Sequence, residues 1–333
     1  MSGGSRSAAG YTEPARNQEC HINQELKINP EPGRWGTGRR VRLKKRVEVP
    51  FTKIQGLGNE YLFIDRFAYK TEHDWSRLSI VMAERHFGAG SDGIILVEPS
   101  EVPGCDFRMR IFNADGSEGD MCGNGMRSFA RYVYDHGLTR KTEFAVETRA
   151  GIIRPRLILK DGEVEAISVD LGVPKLERHE IPLARLDGPV PAINEPVEVD
   201  GQVFYGTGVC TGNPHFVIFV DDVWQVELEK LGPKLERHPL FPARANIEFA
   251  TVKSRDEIDM RVWERGSGIT LACGTGASAV LVAAVLNGFA DKDVPTKVNL
   301  PGGTLIIEWK SDGHVWMTGP AKEVYRGVFY YEE

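Results

Sequence analysis

The feature that most constrains this chain is an internal duplication. "DMCGNGMRS" at residues 120–128 and "LACGTGASA" at 271–279 each set a cysteine, a glycine, one small polar residue and a second glycine ahead of a helix-forming run. The flanks repeat in the same order. Gly58-Asn59 before "EYLFID" corresponds to Gly212-Asn213 before "PHFVIFV" at an offset of 154, and "RIFNADGSEGDMCGNG" corresponds to "RVWERGSGITLACGTG" at an offset of 151. A lone Cys-Gly-x-Gly reads as a small buried core cysteine. Its recurrence with matched flanks reads instead as two copies of one half. Duplicated halves pack about a pseudo-twofold axis, and equivalent residues then face each other across the cleft between them. Cys122 is therefore expected opposite Cys273.

The rest of the chain from residue 49 is rich in short strand-like segments, among them "GIILVE", "FRMRIF", "EFAVET", "IIRPRLIL", "EVEAISVDL", "IEFATV", "EIDMRVW", "TLIIEW" and "HVWMTG". Turn chemistry separates them, with "KDG" at 160–162 and "SDG" at 311–313 as hairpin signals. The two clearest helices follow the two cysteine motifs. In the first, Met126, Phe129, Ala130 and Val133 fall at i, i+3, i+4 and i+7, which gives one buried face, and Gly137 supplies a stop. In the second, every residue from Ala277 to Leu286 except Ser278 is apolar. That helix is expected to be enclosed nearly all round, as by a curved sheet.

Composition narrows the function. With 333 residues, 41% hydrophobic and 26% charged, the chain reads as a soluble globular protein with room for two domains. Cys20, Cys105, Cys122, Cys210 and Cys273 are an odd, scattered set without CxxC or zinc spacing, which argues for a reducing, cytoplasmic setting and no metal. A net charge of −6 gives no electrostatic reason for a nucleic-acid partner or an anionic membrane, and no run of 18 apolar residues occurs. A small-molecule substrate fits better. Residues 1–48 lack apolar periodicity and read as a disordered extension, with "RRVRLKKR" at 39–46 as a solvated basic run.

A thiol at a helix N-terminus sits at the positive end of the dipole, beside N–H groups without intrahelical partners, and both favour thiolate. Glycines at 123, 125, 274 and 276 let a carboxylate approach those N–H groups. Two facing thiols then suit one reaction: a thiolate removes the α-proton from one face and a thiol returns a proton to the other. The carbanion is stabilised as an enediolate by the two helix ends. This inverts a stereocentre and requires no cofactor or metal.

"GLGNEYLFID", "RIFNADGSE", "MCGNGMRSFARY", "GNPHFVIFVDD", "ERGSG", "ACGTGASA", "LPGGTLIIEW" and "MTG" together resemble the diaminopimelate epimerase family over about residues 50–328. The resemblance implies interconversion of LL- and meso-diaminopimelate without cofactor, in lysine and peptidoglycan precursor synthesis, by a homodimer. It implies a mixed α/β fold of two pseudo-symmetric domains, each a curved mixed sheet wrapped around a central helix. The halves would span 49–172, with a strand at 318–328 returning to it, and 173–317. By the same resemblance Cys122 and Cys273 are the catalytic bases, Glu264 stands near the reacting amino group, and His215 lies beside the catalytic centre. The reacting carboxylate would lie on Gly123-Asn124 and Gly274-Thr275. Asn113, Asn213, Asn246 and Arg265 would hold the distal end of the substrate, and Asn59 would add a contact. Gly93 departs from the family, where glutamine is common, and is left out of the site. Three other readings stay open: a proline- or histidine-type racemase using the same thiols, an isomerase of this fold without the cysteine pair, and a redox or ligand-binding module.

Overall fold

The computed structural model describes residues 46–332. β1 (Arg46–Gly56), β2 (Asn59–Asp65), β3 (Gly93–Glu98), β4 (Phe107–Asn113), β5 (Glu118–Gly119), β6 (Val146–Thr148) and β7 (Gly151–Ile153) build a first sheet. A second holds β8 (Arg156–Lys160), β9 (Glu163–Asp170), β10 (Glu195–Val199), β11 (Gln202–Cys210), β12 (Pro214–Phe219), β13 (Asn246–Ser254), β14 (Glu257–Glu264), β15 (Gly268–Ile269), β16 (Thr296–Leu300), β17 (Gly303–Trp309) and β18 (Val315–Gly319). β19 (Lys322–Glu332) returns to the first sheet, antiparallel to β1. The strand orders are β19-β1-β2-β3-β4-β6-β7 and β10-β11-β12-β13-β14-β16-β17-β18-β9-β8, with β5 on β4 and β15 on β14.

The duplication seen in the sequence reappears as topology. Parallel pairs β2/β3 and β4/β6 in the first sheet correspond to β12/β13 and β14/β16 in the second. Four helices fall in equivalent places: α1 (Trp75–Ala83) and α3 (Leu228–Glu236) between the parallel strands of the first pair, α2 (Gly123–Asp135) and α4 (Gly274–Leu286) after the short strands β5 and β15.

Parallel strands flanked by helices on both faces are apolar throughout. In β3, Ile95 and Val97 point into the core around α2 while Ile94 and Leu96 point to the layer under α1. In β12, Val217 joins the shared core and Phe216 and Ile218 join the layer around α3. The expected stripe on α2 is buried, and Gly137 ends the chain segment with a φ of +72°. α4 is buried on every side from Gly276 to Ala284. It meets β11, β12, β13, β14, β16, β17 and β18, so the second sheet curves around it.

The hydrogen bonding divides the chain differently from the sequence-based boundaries. Residues 156–170, expected in the first half, belong to the second sheet: β9 pairs with β18 through Asp170↔Trp316 to Ile167↔Gly319. The segment "IIRPRLIL" is therefore two strands of different sheets, and Pro155, which has no N–H to offer a ladder, lies at the break. The returning strand is Lys322–Glu332, since residues 318 and 319 still pair in β18. Of the extension expected over 1–48, residues 46–48 are the start of β1, and the remainder, with most of the basic run and Cys20, lies outside the described residues. The "KDG" hairpin is present, with Asp161 and Gly162 at φ +53° and +84° between β8 and β9.

Candidate active site

Cys122 and Cys273 occupy the same position in their halves, each the N-cap of its helix. Gly125 N–H donates to Cys122 Sγ at 3.4 Å, and Gly276 N–H donates to Cys273 Sγ at 3.3 Å. The sulfur takes the place of the side-chain oxygen of a conventional cap. The two helix ends meet directly: Asn124 Nδ2 donates to the Ala272 carbonyl at 3.2 Å. A side chain there would crowd its neighbours. A Cβ on Gly274 would lie 2.6 Å from Met317 Sδ and 3.1 Å from Asn124 Oδ1, and one on Gly123 would lie 3.0 Å from Met317 Cε. The first-turn N–H groups of both helices, at Gly123, Asn124, Gly274 and Thr275, have no intrahelical acceptor.

The surroundings of the thiols differ. Cys122 Sγ donates to Asn59 Oδ1 at 3.6 Å, and Asn59 Nδ2 is anchored on Asp92 at 2.7 Å. Burial pushes the Cys122 thiol pKa up, the Gly125 N–H and the Tyr61 hydroxyl pull it down, Glu264 raises it and Arg127 lowers it. Cys273 Sγ lies 3.5 Å from Thr275 Oγ1. Its pKa is raised well above the ordinary value, by burial first and then by the Glu264 and Glu248 carboxylates. The helix-end effect expected to favour thiolate is therefore outweighed by desolvation at both cysteines. Glu264 accepts from Thr270 Oγ1, and burial raises its own pKa.

His215 is fully buried, with Nε2 2.8 Å from Asn213 Oδ1 and Nδ1 2.6 Å from Glu248 Oε1. Glu248 was not singled out in the sequence, although an acid inside the apolar run "NIEFATV" was the available signal. Its Oε2 is buried without a partner. Asn246 uses its amide on the backbone, donating to the Pro214 carbonyl at 3.0 Å and accepting from Arg265 N–H at 2.8 Å. Arg265 is exposed, and its Nη1 donates to the Ala243 carbonyl at 3.1 Å. Asn113 donates to Ser117 Oγ at 3.0 Å, and no bond ties it to the thiol pair. Gly93 has φ +150°, and a Cβ there would lie 2.1 Å from the Phe112 carbonyl oxygen, so this backbone demands glycine. Among the described residues no group of three or more His, Cys, Asp and Glu side chains is arranged to hold a metal ion, and no helix is long and apolar enough to cross a membrane.

A profile of the family described as diaminopimelate epimerase matches residues 51–177 and 207–324. The chain is 52% identical over 280 residues to the diaminopimelate epimerase of Moorella thermoacetica, covering 84% of this chain and 98% of that one. It is 47% identical to that of Oceanobacillus iheyensis, covering 86% and 100%. Solved structures share the fold at low identity. A phenazine biosynthesis protein of the PhzF family from Bacillus anthracis aligns with a TM-score of 0.62 at 16% identity, covering 85% of this chain and 99% of that chain. A probable proline racemase from Agrobacterium radiobacter K84 aligns at 0.61 with 14% identity, covering 84% and 92%.

Proposed function

The chain belongs to the diaminopimelate epimerase family, and we propose that it interconverts LL- and meso-diaminopimelate with Cys122 and Cys273 as the two acid-base groups. The observation that carries this reading is the meeting of two cysteine-capped helix ends through Asn124 and Ala272. A carboxylate bound to the first-turn N–H groups of both helices places its α-carbon between the sulfurs. One thiolate takes the α-proton, and the C–H electron pair moves into the carboxylate to give an enediolate held by those N–H groups. The second thiol then delivers its proton to the opposite face. The burial that raises both thiol pKa values also makes the thiolate, once formed, a stronger base.

The remaining roles follow the chemistry of the side chains. Glu264, beside Cys273, suits the ammonium group on the reacting carbon. Asn213 has its Oδ1 engaged by His215, which leaves its amide N–H groups as donors for the distal end of the substrate. Asn246 and Arg265 form the other side of that end, with Asn113 at its margin, and Asn59, bonded to Cys122 Sγ, adds a contact beside the thiol. Isomerisation by this route needs no pyridoxal phosphate or metal, since the helix ends supply the charge stabilisation. It does need both thiols reduced, which suits the cytoplasm. A homodimer is favoured by the edge strand β19, whose outward side exposes Val324, Val328 and Tyr330.

The test is inversion in deuterated water. Product should carry deuterium at the inverted centre while remaining substrate initially carries little. Cys122→Ala and Cys273→Ala should each lower epimerisation by at least about a hundredfold, the contribution of one acid-base group. Near-normal turnover in either variant overturns the two-thiol reading.

A further inference from the structure

Arg127 lies on the second turn of α2 with its side chain fully buried. Its donors go to neutral groups: Nη1 to Asn124 Oδ1 at 2.8 Å and to Met317 Sδ at 3.3 Å, and Nε to the Pro320 carbonyl at 3.3 Å. Nη2 is buried with no partner. Among the described residues no carboxylate pairs with it. Arg178, equally buried, behaves as the usual case and meets Glu195 Oε1 at 2.7 Å. A buried guanidinium without a counter-ion carries a large desolvation cost. Here the cost is compounded, because the two helix ends that meet at Asn124 and Ala272 are themselves positive. Such an accumulation of positive charge in a closed site is the mark of a place that receives an anion.

The groups around it identify the anion. Facing Arg127 are Asn124 and Cys122 from α2, Met317 from β18, the Pro320 carbonyl before β19, and Gly56 of β1, where a Cβ would lie 3.0 Å from Nη2. Facing Cys122 are Asn59 and Tyr61 of β2, the Gly125 N–H, and Glu264 of β14, with Asp92 behind Asn59. Among the described residues only the Cys122 thiolate supplies negative charge next to the guanidinium, and a substrate carboxylate on the helix ends would add to it. Burial brings the pKa of Arg127 down to about 10 and the charge of Cys122 opposes that, so the guanidinium stays protonated at neutral pH.

We propose that Arg127 is a positioning residue for the epimerisation: its charge holds the carboxylate cradle positive and favours the Cys122 thiolate, and its bond to Asn124 fixes the two helix ends against each other. This rests on the two-thiol reading above. It makes Cys122 the more readily ionised of the pair, because Glu264 acts on both thiols, whereas Cys273 has Glu248 beside it where Cys122 has Arg127.

The experiment is alkylation by iodoacetamide across a pH series, with each cysteine quantified by peptide mass spectrometry. In the wild-type chain Cys122 should reach half-maximal rate at lower pH than Cys273, and the reverse order overturns the proposal without any variant. Arg127→Gln keeps a polar group without the charge and should move the Cys122 midpoint up by about one unit, as loss of an adjacent opposite charge does. The rising limb of kcat/KM against pH should follow it. Arg127→Lys should return the midpoint towards the wild-type value. A folded Arg127→Gln protein with an unchanged Cys122 midpoint would show the arginine to be merely structural. Failure of the two-thiol reading is seen separately, as turnover surviving Cys122→Ala or Cys273→Ala.

Discussion

His215, Asn213 and Glu248 form a line of hydrogen bonds. Asn213 Oδ1 can only accept, so His215 Nε2 donates to it at 2.8 Å, and Nδ1 faces Glu248 Oε1 at 2.6 Å. Glu248 also reaches the first turn of α4: a Cβ on Gly276 would lie 2.8 Å from its Oε1. The Cys273 thiol pKa is raised by burial, then by Glu264 and then by Glu248. Removing one of the carboxylate charges lowers that pKa, because less negative potential opposes the thiolate. Glu248→Gln should therefore move Cys273 alkylation to lower pH and leave Cys122 nearly unmoved. Turnover should fall by less than the roughly hundredfold expected for losing the acid itself. An unchanged Cys273 profile would separate Glu248 from the thiol.

The same cap is built twice, on α2 and α4, and at this scale the glycines decide how closely the helices approach. Gly274 is the tightest of them, with Met317 Sδ and Asn124 Oδ1 in the space a methyl group would take. Methionine is flexible and can move aside, so Gly274→Ala should fold. The displaced Asn124 then shifts one helix end relative to the other. A misplacement near 1 Å costs on the order of a hundredfold in rate, so steady-state epimerisation should collapse while the thermal midpoint changes little. Full activity would mean that the two ends need not be held so closely.

Across the whole molecule, β1 is where the described chain begins, and it is held on both sides, by β19 and by β2. Deleting residues 1–45 should leave turnover and thermal midpoint essentially unchanged. Deleting into residues 46–53 removes the pairing of Arg46 to Lys53 with β19 and should lower the thermal midpoint. Equal behaviour of the two truncations would argue that this ladder contributes little. β19 is also an edge with exposed apolar residues. Sedimentation should give a dimer, and Val328→Glu with Tyr330→Glu should shift it to monomer. A monomeric wild-type chain would remove the association assigned to this edge.

The sequence determined the parts of this protein whose signals are local or repeated. The two caps, the stripe of Met126, Phe129, Ala130 and Val133, the enclosed helix that stops ahead of Asn287 and Gly288, and the two-half architecture all follow from residue order. Spacing alone was enough because helix period and capping act over a few residues. Assignment of strands to sheets was not local: β9 joins the second sheet by pairing with β18, where Thr318 Oγ1 also meets Ser168 Oγ across 150 residues. Arg127 looks ordinary in sequence, and Glu248 stands out only as an acid within an apolar run. Burial gives them their meaning, since a charge that water would screen becomes decisive where desolvation is complete. The thiols show the same division. Their place at the helix ends was legible from Cys-Gly-x-Gly, whereas the tertiary structure shifts their ionisation by enclosing both and giving them different neighbours, Arg127 and Glu264 at Cys122, Glu264 and Glu248 at Cys273.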